Sequence, residues 1–307
     1  MQRIRRKKEI EGTTVPGIIN NGGHYFYINV DIYEDGMSNC WELVDLKGLK
    51  VKINSGWLTP TVPTGETLSV HGLGEYKIES AIWNFNKKTY YQFIENRIKI
   101  LNPEFKNIYT ITKSEKKLFE TRKILNSPTA VDFYVVREMF YETIEGEGYF
   151  IFMRYNETNY LVNLVIYENG LVGIYNSSFE KIYQLEEVVE LFNNRILFTE
   201  FNHPTEVFIS ELGQVTFSEV LFASNLDEKL KELLDMYTQI KGDKTTLEIC
   251  REAYFNYLAN PSEFNRASLK EKYELVPEHE RMYLGDMDSK DLDYQRIIYR
   301  SKEKREV

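Results

Sequence analysis

Near the C-terminus, Pro277-Glu278-His279-Glu280-Arg281 is followed by Asp286-Met287-Asp288-Ser289-Lys290-Asp291-Leu292-Asp293. This is the densest run of hard-cation ligands in the chain. His279, Asp286, Asp288 and Asp291 could together hold Mg²⁺ or Ca²⁺. A cation there would fit a metal-dependent hydrolase or nuclease. The spacing lacks the glycine and the terminal bidentate glutamate of a calcium loop. The Asp-x-Asp of phosphate-transferring enzymes belongs after a buried strand near the start of an α/β domain, not behind helices. Turns and helix caps use the same residues, because Asp and Ser side chains accept backbone N–H groups.

Other reactive residue types are scattered. His24, His71, His203 and His279 never stand four apart, so the paired-imidazole helix of zinc proteases does not form. Cys40 falls in a strand-like pattern and reads as a small buried hydrophobe. No glycine-rich phosphate loop or Gly-x-Ser-x-Gly elbow is present. Carboxylates crowd at Glu138, Glu142, Glu145 and Glu147, and again at Glu186, Glu187 and Glu190. Paired carboxylates can do acid–base work. The second group, however, lies on an amphipathic helix and reads as an outer face able to meet a basic partner. Trp57 sits in a Gly/Thr/Pro loop, where an indole can anchor a partner. Trp41 and Trp83 read as core. The residues imply no cofactor.

The elements that must position these residues are written twice. Ile32-Tyr33-Glu34-Asp35-Gly36 returns as Ile166-Tyr167-Glu168-Asn169-Gly170, and Ile10-Glu11-Gly12 as Ile144-Glu145-Gly146. Eight identities fall in 27 ungapped positions at an offset of 134. Leu73-Gly74 and Leu212-Gly213 then match at an offset of 139, which places a few extra residues in an intervening loop. Phe26, Ile28, Val30 and Ile32 alternate with polar or aromatic neighbours, as a half-buried strand does. Tyr160, Val162, Leu164 and Ile166 repeat the pattern. Asp35-Gly36 and Asn169-Gly170 predict two-residue type I′ hairpins.

The expected fold is therefore α+β, with two tandem duplicated, mainly antiparallel β domains followed by a C-terminal helical domain. The expected spans are a basic tail over 1–9, a first β domain over 10–103, a helical connector over 104–130, a second β domain over 131–223 and a helical domain over 224–307. Met37–Val44 reads as a return strand and Leu49–Ile53 as a short strand. Tyr90–Leu101 is ambiguous between helix and strand. Thr112 and Glu115 form a capping box ahead of a helix to about Leu125. Leu185–Phe192 has helical spacing. Further helices follow over 224–240, 245–259 and 263–275, with a short one from Pro277 and a last one capped by Ser289 or Asp291.

Bulk numbers narrow the partners. The 307 residues carry a net charge of −9, unevenly spread. Residues 1–110 hold 14 basic and 12 acidic side chains; residues 111–225 hold 9 and 17. The acidic second copy would repel a phosphate backbone and attract a basic protein. No apolar run reaches the roughly 18 residues of a membrane span. Two distant cysteines suit a reducing compartment. A cytoplasmic protein without a membrane or nucleic-acid partner is expected.

The tail Val276-Pro277-Glu278-His279-Glu280-Arg281-Met282-Tyr283-Leu284-Gly285-Asp286-Met287-Asp288 resembles one found in uncharacterised bacterial proteins, some of them similar to toxin-immunity or antitoxin proteins. The resemblance covers about the last 50 residues and carries no catalytic residues. It implies a bacterial cytosolic protein that acts by binding. The expected function is a non-enzymatic protein-binding protein of the immunity type, with a metal-dependent hydrolase and a structural subunit of a larger assembly as alternatives.

Overall fold

The computed structural model describes residues 6–118, 133–139, 145–285 and 293–301. The architecture is α+β, a large, mainly antiparallel mixed sheet with helices gathered at the C-terminus. The chain divides into two compact units that are not contiguous in sequence. One comprises 1–143, 156–161 and 200–222; the other comprises 144–155, 162–199 and 223–307.

In the first unit, β1 (Arg6–Asn21) and β2 (His24–Tyr33) pair antiparallel from Gly12↔Tyr33 to Asn21↔His24. Gly22 and Gly23 link them with positive φ at both positions, the geometry of a tight hairpin turn. Beside β2, in parallel, lies β6 (Thr67–Val70), and β6 pairs antiparallel with β7 (Gly74–Trp83). Next come β15 (Gly213–Ala223) and β14 (Thr205–Ile209), then the start of β10 (Thr158–Tyr167). The other edge of β1 carries β5 (Leu58–Thr59) and, in parallel, β8 (Phe133–Met139). Two helices cover this sheet. α1 (Leu46–Ser55) buries Leu49 and Ile53, and α2 (Lys87–Leu101) buries Tyr90, Ile94 and Ile98. The Tyr90 hydroxyl donates to the Pro16 carbonyl at 2.8 Å.

Several expectations change here. Leu49–Ile53 is helical, not a strand, although Val51 and Ile53 are β-branched. The Asp45 side chain caps the helix by accepting from the Gly48 N–H, and Gly56 closes it in a left-handed conformation. Tyr90–Leu101 resolves as helix, capped by Asn86 and Thr89. The return strand after Gly36 shrinks to β3 (Ser38–Asn39) and β4 (Leu43–Val44). The Asp35-Gly36 and Asn169-Gly170 turns are not type I′. Only the glycines have positive φ, and each glycine N–H donates back to Tyr33 or Tyr167 at 2.9 Å. Each is a three-residue connection ending in a left-handed glycine. The Thr112–Glu115 capping box is present ahead of α3, described over 113–118; its continuation lies outside the described residues.

The second unit holds β9 (Gly146–Tyr155), the remainder of β10, β11 (Leu171–Asn176) and β12 (Phe179–Gln184), with β13 (Leu197–Phe198) on β9. α4 (Leu185–Asn193) and α5 (Leu226–Ile240) follow at the expected places. After α5 come α6 (Thr246–Ala259), α7 (Glu263–Leu275), a 3-10 turn (Glu278–Tyr283) and α8 (Asp293–Tyr299). They bury Cys250, Leu269, Tyr273, Val276, Leu284, Tyr294 and Ile298 together. Ser289 and Asp291, expected to cap α8, lie outside the described residues.

Elements recur in one order along the chain. β2 and β10 start 134 residues apart; α1 and α4, β5 and β13, β7 and β15, and α2 and α5 each start 139 apart. The register recurs too. Phe26 opposes Ser69 as Tyr160 opposes Phe208, and Thr67 opposes Lys77 as Glu206 opposes Thr216.

Candidate functional site

Trp41 departs from the core reading. It follows the short strand β3, has φ 65 and leaves 61% of its surface exposed. A tryptophan in left-handed backbone is costly and persists only where its surroundings enforce it. Phe26 on β2 lies 5.7 Å from its ring, and Trp57 meets it edge-on at 6.5 Å. Trp57 leaves α1 just after the Gly56 cap and is half-buried. Lys52 Nζ sits 3.7 Å over the Trp57 ring and is paired with Glu42 at 3.1 Å. The group forms an aromatic platform with one fixed cation. Beneath it, Cys40 is buried, and burial pushes its thiol up to about 11. That makes it a packing residue rather than a nucleophile. Trp83 is half-buried rather than core, with its indole N–H donating to the Val62 carbonyl at 3.2 Å.

Glu186, Glu187 and Glu190 stand exposed on α4. The Glu187 carboxylate accepts the Gln184 N–H at 2.7 Å and so closes the helix start. Glu186 and Glu190 make no ion pair with another described residue. Trp57 belongs to the first unit and α4 to the second.

His279 is exposed on the 3-10 turn. Asp286, Asp288 and Asp291 lie outside the described residues. Among the described residues no group of His, Cys, Asp or Glu has metal-ligand geometry.

A buried ionic cluster that sequence reasoning missed lies on α5. Lys229 is 1% exposed. Its ammonium meets Glu232 at 2.5 Å and sits 3.5 Å over the Tyr149 ring, whose hydroxyl donates to the Lys229 carbonyl. Burial holds the lysine below its usual range, opposed by Glu232. Burial and Asp235 raise the Glu280 carboxyl, and His279 opposes them. Asp235 is itself buried and accepts the Thr246 N–H at 2.8 Å. Lys229 stands three residues after Leu226 and four before Leu233, inside the apolar stripe; that phase was its sequence signal. Lys229 pairs with Glu232 and Asp235 holds the start of α6, so the arrangement ties α5 to β9 and α6.

The fold and these surfaces define an α+β sheet protein with a helical C-terminal region. The chain belongs to the family described as a domain of unknown function, DUF7638, whose model matches residues 1–105 and 134–244. Residues 245–306 match a second domain of unknown function, DUF7639. No curated protein and no solved structure matches the chain.

Proposed function

We propose that this chain is a non-enzymatic protein-binding protein of the inhibitor or immunity type, working in the bacterial cytoplasm. Its binding face is the platform of Trp41, Trp57 and Phe26. The observation that carries this is Trp41, 61% exposed in a left-handed backbone conformation that costs about 1–3 kcal/mol. Tryptophan anchors backed by a second ring dominate protein interfaces. Partner capture from the native host with wild type and with Trp41→Ala tests the reading. One specific protein should be retained by the wild type and bound about 10- to 100-fold more weakly by the variant, at unchanged melting temperature. Equal retention of the same proteins by both would overturn it.

We also infer that the chain arose by tandem duplication, with one copy over 10–103 and the other over 131–223. The recurring element order, the two constant offsets and the repeated register support this reading. A family match in two segments agrees with it.

A further inference from the structure

Corresponding helices in the two halves carry opposite charge. On α1, Lys47, Lys50 and Asn54 are exposed around Val51, itself 62% exposed. α2 opens beside them. Lys87 donates to the Asn54 carbonyl at 3.1 Å, Lys88 is exposed, and Lys50 sits 5.5 Å over the Tyr91 ring. At the offset of 139, Lys47 corresponds to Glu186, Gly48 to Glu187, Val51 to Glu190 and Lys88 to Asp227. Glu186, Glu190 and Asp227 are likewise exposed.

Helix capping accounts for the acidic face, since carboxylates favour a helix start. It does not account for the basic one. Lys47, Lys87 and Lys88 stand in first turns that hold no acidic residue, where the helix dipole disfavours cations. None of Lys47, Lys50, Lys87, Lys88, Glu186, Glu190 or Asp227 forms an ion pair with another described residue. The two faces are built on one plan and opposite in sign, and these seven side chains have no ion-pair partner among the described residues, so the faces complement each other.

We propose that the acidic face of α4 and the start of α5 in one chain dock on the basic face of α1 and the start of α2 in a second copy of the chain. Different patches meet, so the contact is heterologous; whether it closes into a ring or runs on is set by its rotation. This contact uses the duplication reading for its correspondences and does not involve the aromatic platform.

Sedimentation of the full chain across concentration tests it. At low ionic strength the mass should rise above 36.3 kDa with concentration. At about 1 M salt, where the Debye length falls to ~3 Å, it should return to that value. Two paired variants follow, Lys47→Glu with Lys50→Glu, and Glu186→Lys with Glu190→Lys. Glu187 is left in place because it caps α4. Each variant alone should associate at least ~10-fold more weakly, and mixing the two should restore association, which also shows both are folded. Trp41→Ala should associate as the wild type does. A wild type that stays monomeric at low salt, variants that still self-associate, a mixture that does not recover, or loss of association in Trp41→Ala would each overturn the proposal.

Discussion

Tyr33 and Tyr167 recur because of what lies opposite them. Tyr33 faces Gly12 across the β1–β2 pair, and a Cβ on Gly12 would come 2.6 Å from the ring. Gly146 and Tyr167 stand at 2.7 Å in the same relation. The repeated Gly and Tyr are one packing device, a ring laid over a bare backbone. Glu34 and Glu168 fill the turns, and their N–H groups donate to Glu11 and Glu145. Buried titratable groups carry a consequence for pH. Burial raises the Cys40 and Cys250 thiols to about 11, from a usual value of 9.0. It also raises the Tyr27, Tyr76, Tyr90 and Tyr149 hydroxyls above their usual 10.0. The folded chain then keeps protons that the unfolded chain loses, so stability is full below about pH 9 and falls as pH rises through 9–11. Lys229, held below the lysine range, works in the opposite sense but is one group against six. Urea midpoints should therefore decline from about pH 9 upward, and Cys40→Ala should flatten the first part of the decline. A midpoint constant between pH 9 and 11 would contradict this account.

At the scale of elements, long periodic segments could be read and short ones could not. The β2 and β10 alternation, the α5 stripe and the Thr112–Glu115 box announce themselves over many residues or through paired side chains. α1 does not, because its ten residues mix Lys with β-branched types and its cap decides it. Asp45 is 4% exposed; one oxygen accepts the Gly48 N–H at 2.7 Å and the other the Ile111 N–H at 3.0 Å. It therefore fixes both α1 and the segment beyond α2. Asp45→Ala should cost about 1–3 kcal/mol, a lost cap plus a half-buried N–H left unpaired. Asp45→Asn, which keeps an acceptor, should cost about half as much or less. Urea unfolding measures both; equal losses would mean the carboxylate acts by charge rather than as a double acceptor. The candidate binding face was half visible for the same reason. Trp57 lies in a loop marked by glycine and proline. Trp41 looked like a strand residue, since neither its left-handed φ nor its exposure leaves a trace in residue type.

The whole molecule is joined across a boundary that its family matches mark at residues 244 and 245. Beyond it, α6, α7, the 3-10 turn and α8 share a small core in which Tyr254 and Tyr294 stack at 4.3 Å. That core leaves Phe255, Leu258 and Phe264 exposed. A segment of about 60 residues with so few buried side chains is at the limit of independent folding. Among the described residues, hydrogen bonds tie it to α5. The Asp235 carboxylate accepts the Thr246 N–H at 2.8 Å, Lys231 donates to the Glu274 carbonyl at 3.1 Å, and Glu228 accepts the Glu278 N–H at 2.9 Å. Each contact caps or anchors the helical segment, while the described strands and their pairings lie entirely before residue 245. Dependence should therefore run one way. A fragment of residues 1–244 should keep its β circular-dichroism signal and a cooperative thermal transition, at a lower temperature than the full chain. A fragment of residues 245–307 should show no cooperative transition alone. Asp235→Ala in the full chain should weaken the joint by about 1–2 kcal/mol, the cost of a half-buried N–H left unpaired. Hydrogen exchange should then quicken in α6 and α7 and stay unchanged in β1 and β2. A helical fragment that melts cooperatively by itself, or a 1–244 fragment that does not, would reverse this order of dependence.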